Sequence, residues 1–99
     1  MLFSSLPKKV TVVEVGPRDG LQNERTVISA ADKIAFVDRL SVAGLAVIEV
    51  GAFVSAKWVP QMAATGSVLS DIHRNPATRY SVLVPNMKGL ERARAAGAT

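Results

Sequence analysis

Hydrophobic and polar positions divide the chain into three short apolar runs, each followed by a longer amphipathic segment. The apolar runs are rich in β-branched residues and read KVTVVEV (Lys9–Val15), LAVIEV (Leu45–Val50) and RYSVLVP (Arg79–Pro85). Short runs that are apolar on both faces are typical of strands buried in a parallel sheet. The pattern therefore predicts three such strands, starting near positions 9, 45 and 79.

The segment after the first run has the periodicity and the end residues of a helix. Ser29 is a suitable N-cap, and Gly44 suits the left-handed position that follows a helix end. The predicted helix runs from Ser29 to Ala43. Its apolar side chains recur at helical spacing and form one face, made of Ile34, Val37 and Leu40 and flanked by Phe36 and Ala43.

Two further helices are predicted in the same way. The second starts near Pro60, a residue tolerated at a first helical position, and stops before Asn75–Pro76. Its apolar face holds Met62, Leu69 and Ile72. The third follows Asn86, a good N-cap, and runs to about Ala96, with Gly97 as its C-cap.

The resulting order is β-α-β-α-β-α, which implies a parallel α/β sheet with right-handed crossovers. An open doubly wound sheet and a (β/α)8 TIM barrel share this order. A barrel needs about 250 residues, so 99 residues supply three of its eight units. We therefore expect an incomplete barrel, with residues 1–99 as the N-terminal portion of a single barrel domain.

Composition narrows the class of partner. With 48% hydrophobic and 20% charged residues, the chain is globular rather than disordered. The net charge of +4 is spread along the chain without a run of Lys or Arg, which disfavours nucleic acid. It indicates either a solvated surface with a cationic bias or an anionic small-molecule ligand, such as a carboxylate or a phosphate-bearing cofactor. There is no cysteine, and no apolar run reaches the length of a membrane span. The start, MLFSSLPKKV, does not resemble a targeting segment, so we expect a soluble cytoplasmic protein with no membrane partner.

Polar residues lie where the three predicted strands end. GPRDG follows the first strand, Glu49 lies near the end of the second, and Pro85–Asn86 ends the third. In either architecture, ligands bind at the carboxyl ends of the strands. The three strand ends together therefore predict a site.

Arg18 and Asp19 have the chemistry for such a site. Asp is a hard oxygen ligand for Mg²⁺ or Mn²⁺, and Arg stabilises a carboxylate or a developing oxyanion. The alternative is an ion pair that only caps a turn. Glu49, in an apolar strand, needs a partner because an unpaired buried carboxylate is costly. Arg18 is the natural partner. Glu49 is then predicted to anchor Arg18 or to act as an acid of the catalytic site, unless it faces solvent.

Other polar and aromatic residues carry weaker predictions. Gln22 and Asn23 either donate to a substrate carbonyl or serve the loop. His73 is predicted on a helix surface and Lys57 in solvent. Phe53 and Trp58 are predicted to pack or to cover the barrel top. The chain contains no glycine-rich phosphate loop, so nucleotide binding of the Rossmann type is disfavoured.

Three stretches together resemble the N-terminal third of the hydroxymethylglutaryl-CoA lyases: VEVGPRDGLQNE, LSVAGLAVIEVGAFVSAKWVPQMA and VLVPNMKGLERARAAGA. This family belongs to a superfamily of metal-dependent (β/α)8 barrels that includes isopropylmalate and homocitrate synthases. The synthases share only the Arg-Asp-Gly-x-Gln core. GPRDGLQNE with KWVPQM is specific to the lyases, and the resemblance covers Val10–Thr99.

The resemblance implies a retro-Claisen cleavage of 3-hydroxy-3-methylglutaryl-CoA to acetoacetate and acetyl-CoA, a reaction of leucine degradation and ketone-body formation. It implies that Asp19 binds a divalent cation, Mg²⁺ or Mn²⁺, and that Arg18 stabilises the enolate oxygen. Gln22 matches the substrate-proximal glutamine, and Glu49 the buried glutamate of strand two. An acyl-CoA substrate and a homodimer of the full-length protein are also implied.

The chain departs from the family pattern and lacks parts of it. Family members often have ETTSFVSPKW where this chain has EVGAFVSAKW, so Val50, Gly51, Ala52 and Ala56 are departures that bear on substrate detail. The family's His-x-His ligand pair, its later Asn and its Cys-bearing loop lie downstream of the residues matched. We therefore expect the 99-residue chain alone to bind the cation weakly and to be inactive.

Two alternatives stay open. One is a lyase or aldolase that acts on a related 3-hydroxyacyl-CoA. The other is a noncatalytic short domain that binds a partner through its sheet edge.

Overall fold

Three parallel strands form one sheet in the order β1-β2-β3, and a helical segment follows each of them. The structure is a computed structural model that describes residues 5–99. The strands are β1 (Val13–Glu14), β2 (Val47–Ala52) and β3 (Arg79–Leu83). The predicted α/β order is therefore confirmed. Residues 1–4, part of the stretch that was assessed as a targeting segment, lie outside the described residues.

The strands are shorter or shifted relative to the apolar runs that predicted them. Within β1, only Val13 and Glu14 pair with β2, opposite Val47 and Ile48. The prediction of a strand over Lys9–Val15 was therefore too long, because an apolar run becomes a strand only where a neighbour supplies ladder partners. β2 begins and ends two residues later than predicted, so Glu49 is the third of its six residues and the prediction that it lies near the strand end was wrong. β3 stops at Leu83, before Pro85.

Helix α1 (Ala30–Val42) has the predicted ends. The Ser29 hydroxyl accepts the Asp32 N–H at 3.1 Å, and Gly44 has φ +89°. The predicted apolar face is confirmed at its centre, where Val37 is fully buried and Ile34 and Leu40 pack against the core. At its end it was wrong, since Ala43 is exposed.

The second helical segment is split in two, so the prediction of one helix from Pro60 was wrong. Pro60–Met62 is a 3₁₀ turn, and helix α2 covers Thr65–Asp71. It ends before Asn75 because Asp38 of α1 accepts the His73 N–H at 2.7 Å, which holds the chain in an extended path. The predicted buried side chains are confirmed, namely Met62, Leu69 and Ile72.

Helix α3 (Met87–Ala95) matches its prediction. The Asn86 side chain accepts the Gly89 N–H at 2.8 Å, and Gly97 has φ +96°. An L residue with a side chain is disfavoured at that angle, so glycine is suited to end the helix there.

The core lies between β2 and the helices. β2 is the central strand and its side chains are the most buried of the three strands. The buried apolar cluster consists of Val37, Ile48, Val50, Phe53, Val68, Leu69, Ile72 and Ala93. Across residues 5–99, no helix combines the length and apolar character needed to cross a membrane.

A buried lysine joins α1 to the 3₁₀ turn. Lys33 is only 3% exposed, and its ammonium donates to the carbonyl oxygen of Gln61. The Gln61 side chain in turn donates to the carbonyl of Glu24 at 2.9 Å. The segments that follow β1 and β2 are thereby tied to each other and to α1.

Burial lowers the pKa of Lys33 below the ordinary value of a lysine, because surroundings of low polarity disfavour the charged amine. The unfolded chain then binds more protons than the folded chain between the lowered pKa and the ordinary one. Stability rises with pH wherever the unfolded state binds more protons. Lys33 therefore costs stability at low pH, and this cost falls as the pH rises through that window.

We expect a Lys33→Met variant to reveal this pH dependence. The free energy of unfolding of the wild type minus that of the variant should increase as the pH is raised from 7 toward about 10.4, the value of a free lysine. Urea denaturation across this range measures the difference. Lys88→Met, which removes an exposed lysine on α3, is the matched control and should give a flat profile. If the difference in free energy of unfolding between the wild type and Lys33→Met did not change with pH, the lowered pKa of Lys33 would be contradicted.

Candidate active site at the carboxyl ends of the first two strands

The site begins at a π-helical turn, Gly16–Gly20, directly after β1. The carbonyl of Val15 accepts N–H groups from Arg18 at 3.1 Å, Asp19 at 2.7 Å and Gly20 at 3.2 Å. Single π turns are rare and occur often at functional sites. This turn places Arg18 and Asp19 at the carboxyl end of the strand, as the sequence predicted.

Arg18 reaches across to β2. Its Nε–H donates to Oε1 of Glu49, 31 residues away in the chain. The two side chains are 21% and 19% exposed, so the pair is largely shielded from water. The predicted partner of Glu49 is therefore present, and the alternative of a solvent-facing glutamate is wrong.

Asp19 lies on the outer side of this pair. Its Oδ1 is 3.6 Å from Nη1 of Arg18, and its side chain is 56% exposed. An exposed ion pair at that separation contributes little stability, so the Arg18–Asp19 contact does not account for the turn. The three charged groups form a row, with Glu49 innermost, Arg18 in the middle and Asp19 facing solvent.

Gln22 and Asn23 differ in what surrounds them. The Asn23 amide donates to the carbonyl of Asp19 at 2.8 Å, so Asn23 serves the loop. Oε1 of Gln22 is buried and has no hydrogen-bond partner among residues 5–99. Buried polar atoms in native proteins are nearly always paired. An oxygen of this kind, next to Arg18 and Asp19 in the chain, suits a ligand that donates a hydrogen bond.

The remaining predicted residues lie elsewhere. Asn86 uses its side-chain oxygen to cap α3. His73 is exposed after α2, and Lys57 stacks over the exposed ring of Trp58 at 5.3 Å. Phe53 is buried, which confirms packing for that residue. Trp58 is 77% exposed, so packing is excluded for it, and a role in covering the barrel top stays a prediction.

The described residues fit a divalent cation only in part. Asp19 offers a hard, accessible carboxylate of the kind that Mg²⁺ and Mn²⁺ prefer. However, residues 5–99 contain no group of three or more His, Cys, Asp or Glu side chains that could hold a metal ion. Asp19 is therefore the one predicted metal ligand that the described residues place at the site.

Two buried polar residues near the site were missed by sequence reasoning. Lys33 lies four residues before Val37 on the buried face of α1, so helical spacing gave a way to find it. Thr65 is 3% exposed and contacts the end of β2. Its neighbours in sequence, Ala64 and Gly66, show no pattern that would single it out.

Charged side chains that meet just after β1 and within the neighbouring parallel strand define the class: an α/β chain with an enzyme-like site. Comparison with protein families makes this specific. The family model described as HMGL-like matches residues 9–99. The chain belongs to the HMGL-like family.

Curated relatives with high identity are lyases. The cytoplasmic 3-hydroxy-3-methylglutaryl-CoA lyase of Rattus norvegicus is 57% identical over 98% of this chain and 28% of its own length. The 3-hydroxy-3-isohexenylglutaryl-CoA/hydroxymethylglutaryl-CoA lyase of Pseudomonas aeruginosa is 59% identical over 94% of this chain and 31% of its own length. The chain thus spans a little under a third of these relatives.

Solved structures agree with this fold. A hydroxymethylglutaryl-CoA lyase from Pseudomonas aeruginosa superposes with a TM-score of 0.90 at 59% identity, covering 94% of this chain and 31% of that one. An HMG-CoA lyase from Acinetobacter baumannii, in complex with coenzyme A and 3-methylmalate, gives 0.86 at 42% identity, covering 89% and 29%. The three β/α units are those of a partial TIM barrel, which decides between the two architectures left open by the sequence.

We expect the Arg18–Glu49 pair to be measurable in stability. Glu49→Ala should lower the free energy of unfolding by about 1–3 kcal/mol, because a shielded guanidinium loses its charge-assisted hydrogen bond. Glu91→Ala, which removes an exposed carboxylate on α3, should change it by less than about 0.5 kcal/mol. Urea denaturation of both variants, combined with Arg18→Ala in a double-mutant cycle, measures the coupling. A coupling of zero would show that the pair contributes nothing.

Proposed function

We propose that this chain is the N-terminal part of a single TIM-barrel domain of a carbon-carbon lyase that cleaves 3-hydroxy-3-methylglutaryl-CoA to acetoacetate and acetyl-CoA. The observation that carries the proposal is the shielded Arg18–Glu49 pair beside Asp19, in a chain 57–59% identical to lyases of that name. The products place the reaction in leucine degradation and ketone-body formation. The proposed partners are the acyl-CoA and, in the whole protein, a second subunit.

The reaction places a negative charge where Arg18 can meet it. Removal of the proton from the 3-hydroxyl group allows the bond between C2 and C3 to break, which releases acetoacetate. The electron pair of that bond moves onto the thioester as the enolate of acetyl-CoA, which is then protonated. Arg18 binds Glu49 through Nε, and its Nη1 lies 3.6 Å from Oδ1 of the exposed Asp19. The Nη groups of Arg18 are suited to stabilise the enolate oxygen as its charge develops.

Glu49 orients Arg18 for this task. A carboxylate on Nε fixes the plane of the guanidinium, so the remaining donors are held in place before substrate binds. Gln22 would accept a hydrogen bond from a substrate hydroxyl group through its unpaired oxygen. A divalent cation, Mg²⁺ or Mn²⁺, would supply polarisation of substrate oxygens when bound, with Asp19 as its ligand from this chain.

A related substrate is a second candidate. The Pseudomonas relative, at 59% identity, is named for both 3-hydroxy-3-isohexenylglutaryl-CoA and hydroxymethylglutaryl-CoA. Both compounds undergo the same bond cleavage and differ in the substituent at C3. We therefore include both acyl-CoA esters in the assays below, and a preference for the longer ester would assign the protein to that substrate.

We expect Arg18→Gln in the natural-length protein to lower kcat by about 10²–10³-fold, the usual cost of removing one oxyanion donor. KM should change less, because the charge that Arg18 meets develops during bond cleavage. Release of acetyl-CoA, the product common to both esters, measures the rates. Arg39→Gln on the exposed side of α1 removes the same charge away from the site and should retain the activity. Equal activity of the two variants would refute the role of Arg18.

The 99-residue chain alone should release no acetoacetate above background, because it contains one exposed metal-ligating carboxylate at the site. It should also bind Mn²⁺ only weakly, which paramagnetic resonance titration measures independently of activity. The natural-length protein at equal concentration is the control. Turnover by the 99-residue chain would show that the described residues suffice.

A further inference from the structure

The ladder between β2 and β3 contains an irregularity directly after Glu49. Glu49 pairs with Ser81, but Gly51 pairs with Val82, so Val50 is an extra residue on β2. A β-bulge of this kind bends its strand and changes the direction of neighbouring side chains. The side chain that precedes the bulge is the carboxylate that contacts Arg18.

The bulge is packed against a buried threonine of α2. A Cβ atom added at Gly51 would lie 2.5 Å from Oγ1 and 2.7 Å from Cγ2 of Thr65. Real Cβ atoms do not approach other atoms so closely, and Thr65 is only 3% exposed. The absence of a side chain at Gly51 therefore lets Thr65 contact the backbone of β2.

The hydroxyl group of Thr65 bridges two segments of the chain. It donates to the carbonyl of Met62 at 2.8 Å and accepts the N–H of Ala52 at 3.3 Å. The bridge thus joins the end of β2 to the 3₁₀ turn that precedes α2. The same turn holds Gln61, whose carbonyl receives the buried Lys33. The backbone of β2 beside the bulge is consequently held in place by contacts with α2 and with the 3₁₀ turn before it.

We propose that Gly51 and Thr65 are positioning residues that hold the bulge of β2 so that Glu49 meets Arg18. They do not touch the charged pair, and they act through the backbone of the strand that carries Glu49. The catalytic consequence rests on the proposed lyase function. The effect on the Arg18–Glu49 contact does not rest on that function, and it can be measured without substrate.

The first test follows the Nε–H group of Arg18 in ¹⁵N-edited NMR spectra of the full chain. The resonance that disappears in the Arg18→Lys variant is assigned to Nε–H of Arg18. The chemical shift of this resonance in the Glu49→Gln variant then gives the value expected for a weakened contact. We expect Gly51→Ala to move the resonance toward that value, because the added methyl group displaces Thr65. Gly66→Ala is the matched control, since a Cβ there would lie 3.9 Å from its nearest neighbours, which is ordinary contact.

Variants of Thr65 keep the test decisive even if Gly51→Ala does not fold. Thr65→Ala removes the bridge and should also move the Arg18 resonance, whereas Thr65→Ser keeps the hydroxyl and should leave it near the wild-type position. The double variant Gly51→Ala/Thr65→Ala makes room for the new methyl group and should fold even if Gly51→Ala does not. A wild-type Arg18 resonance in both Thr65→Ala and the double variant would overturn the proposal.

The second test measures kinetics in the natural-length protein. Displacement of a positioned group by about 1 Å can cost about 10²-fold in rate, so we expect a loss of that order in kcat for Thr65→Ala, with Thr65→Ser restoring most of it. A loss confined to KM would overturn the positioning role. If the wild type cleaves neither ester, the proposed function fails, while the NMR result still decides the structural part.

Discussion

The contact between Arg18 and Glu49 is the interaction on which the rest of the site depends. Glu49 lies in the most buried strand of the sheet, where an unpaired carboxylate would be costly. Arg18 satisfies it from the neighbouring strand end, and both side chains are about four-fifths shielded from water. The pair therefore joins the carboxyl end of β1 to the middle of β2 and sets where the remaining guanidinium donors point.

Two local departures from regular backbone bring these side chains together. After β1, a π-helical turn gathers three N–H groups onto the carbonyl of Val15 and sets the path of Arg18. Within β2, a bulge at Val50 follows Glu49 directly. Both irregularities occur beside the charged groups rather than in the helices or in β3. The helices and strands thus form the scaffold, and the two irregular segments lie beside the charged side chains, where such segments change the direction of a side chain.

Sequence reasoning found the features that are encoded locally. The alternation of strands and helices, the caps at Ser29 and Asn86 and the left-handed glycines follow from residue chemistry at neighbouring positions. Pairing of Glu49 with Arg18 followed from the cost of burying a charge. The length of β1, the late start of α2 and the buried role of Thr65 depend on contacts made by distant segments. Propensity and periodicity do not contain that information.

The order of the three charges also bears on how a cation could bind beside an arginine. Arg18 alone would repel a divalent ion from Asp19, since its Nη1 lies 3.6 Å from that carboxylate. Glu49 offsets this charge at short range through its contact with Nε of the guanidinium. In the function proposed above, Asp19 binds the cation and Arg18 donates to the anionic oxygen. The pair that satisfies a buried carboxylate would then allow two opposite charges to be bound side by side.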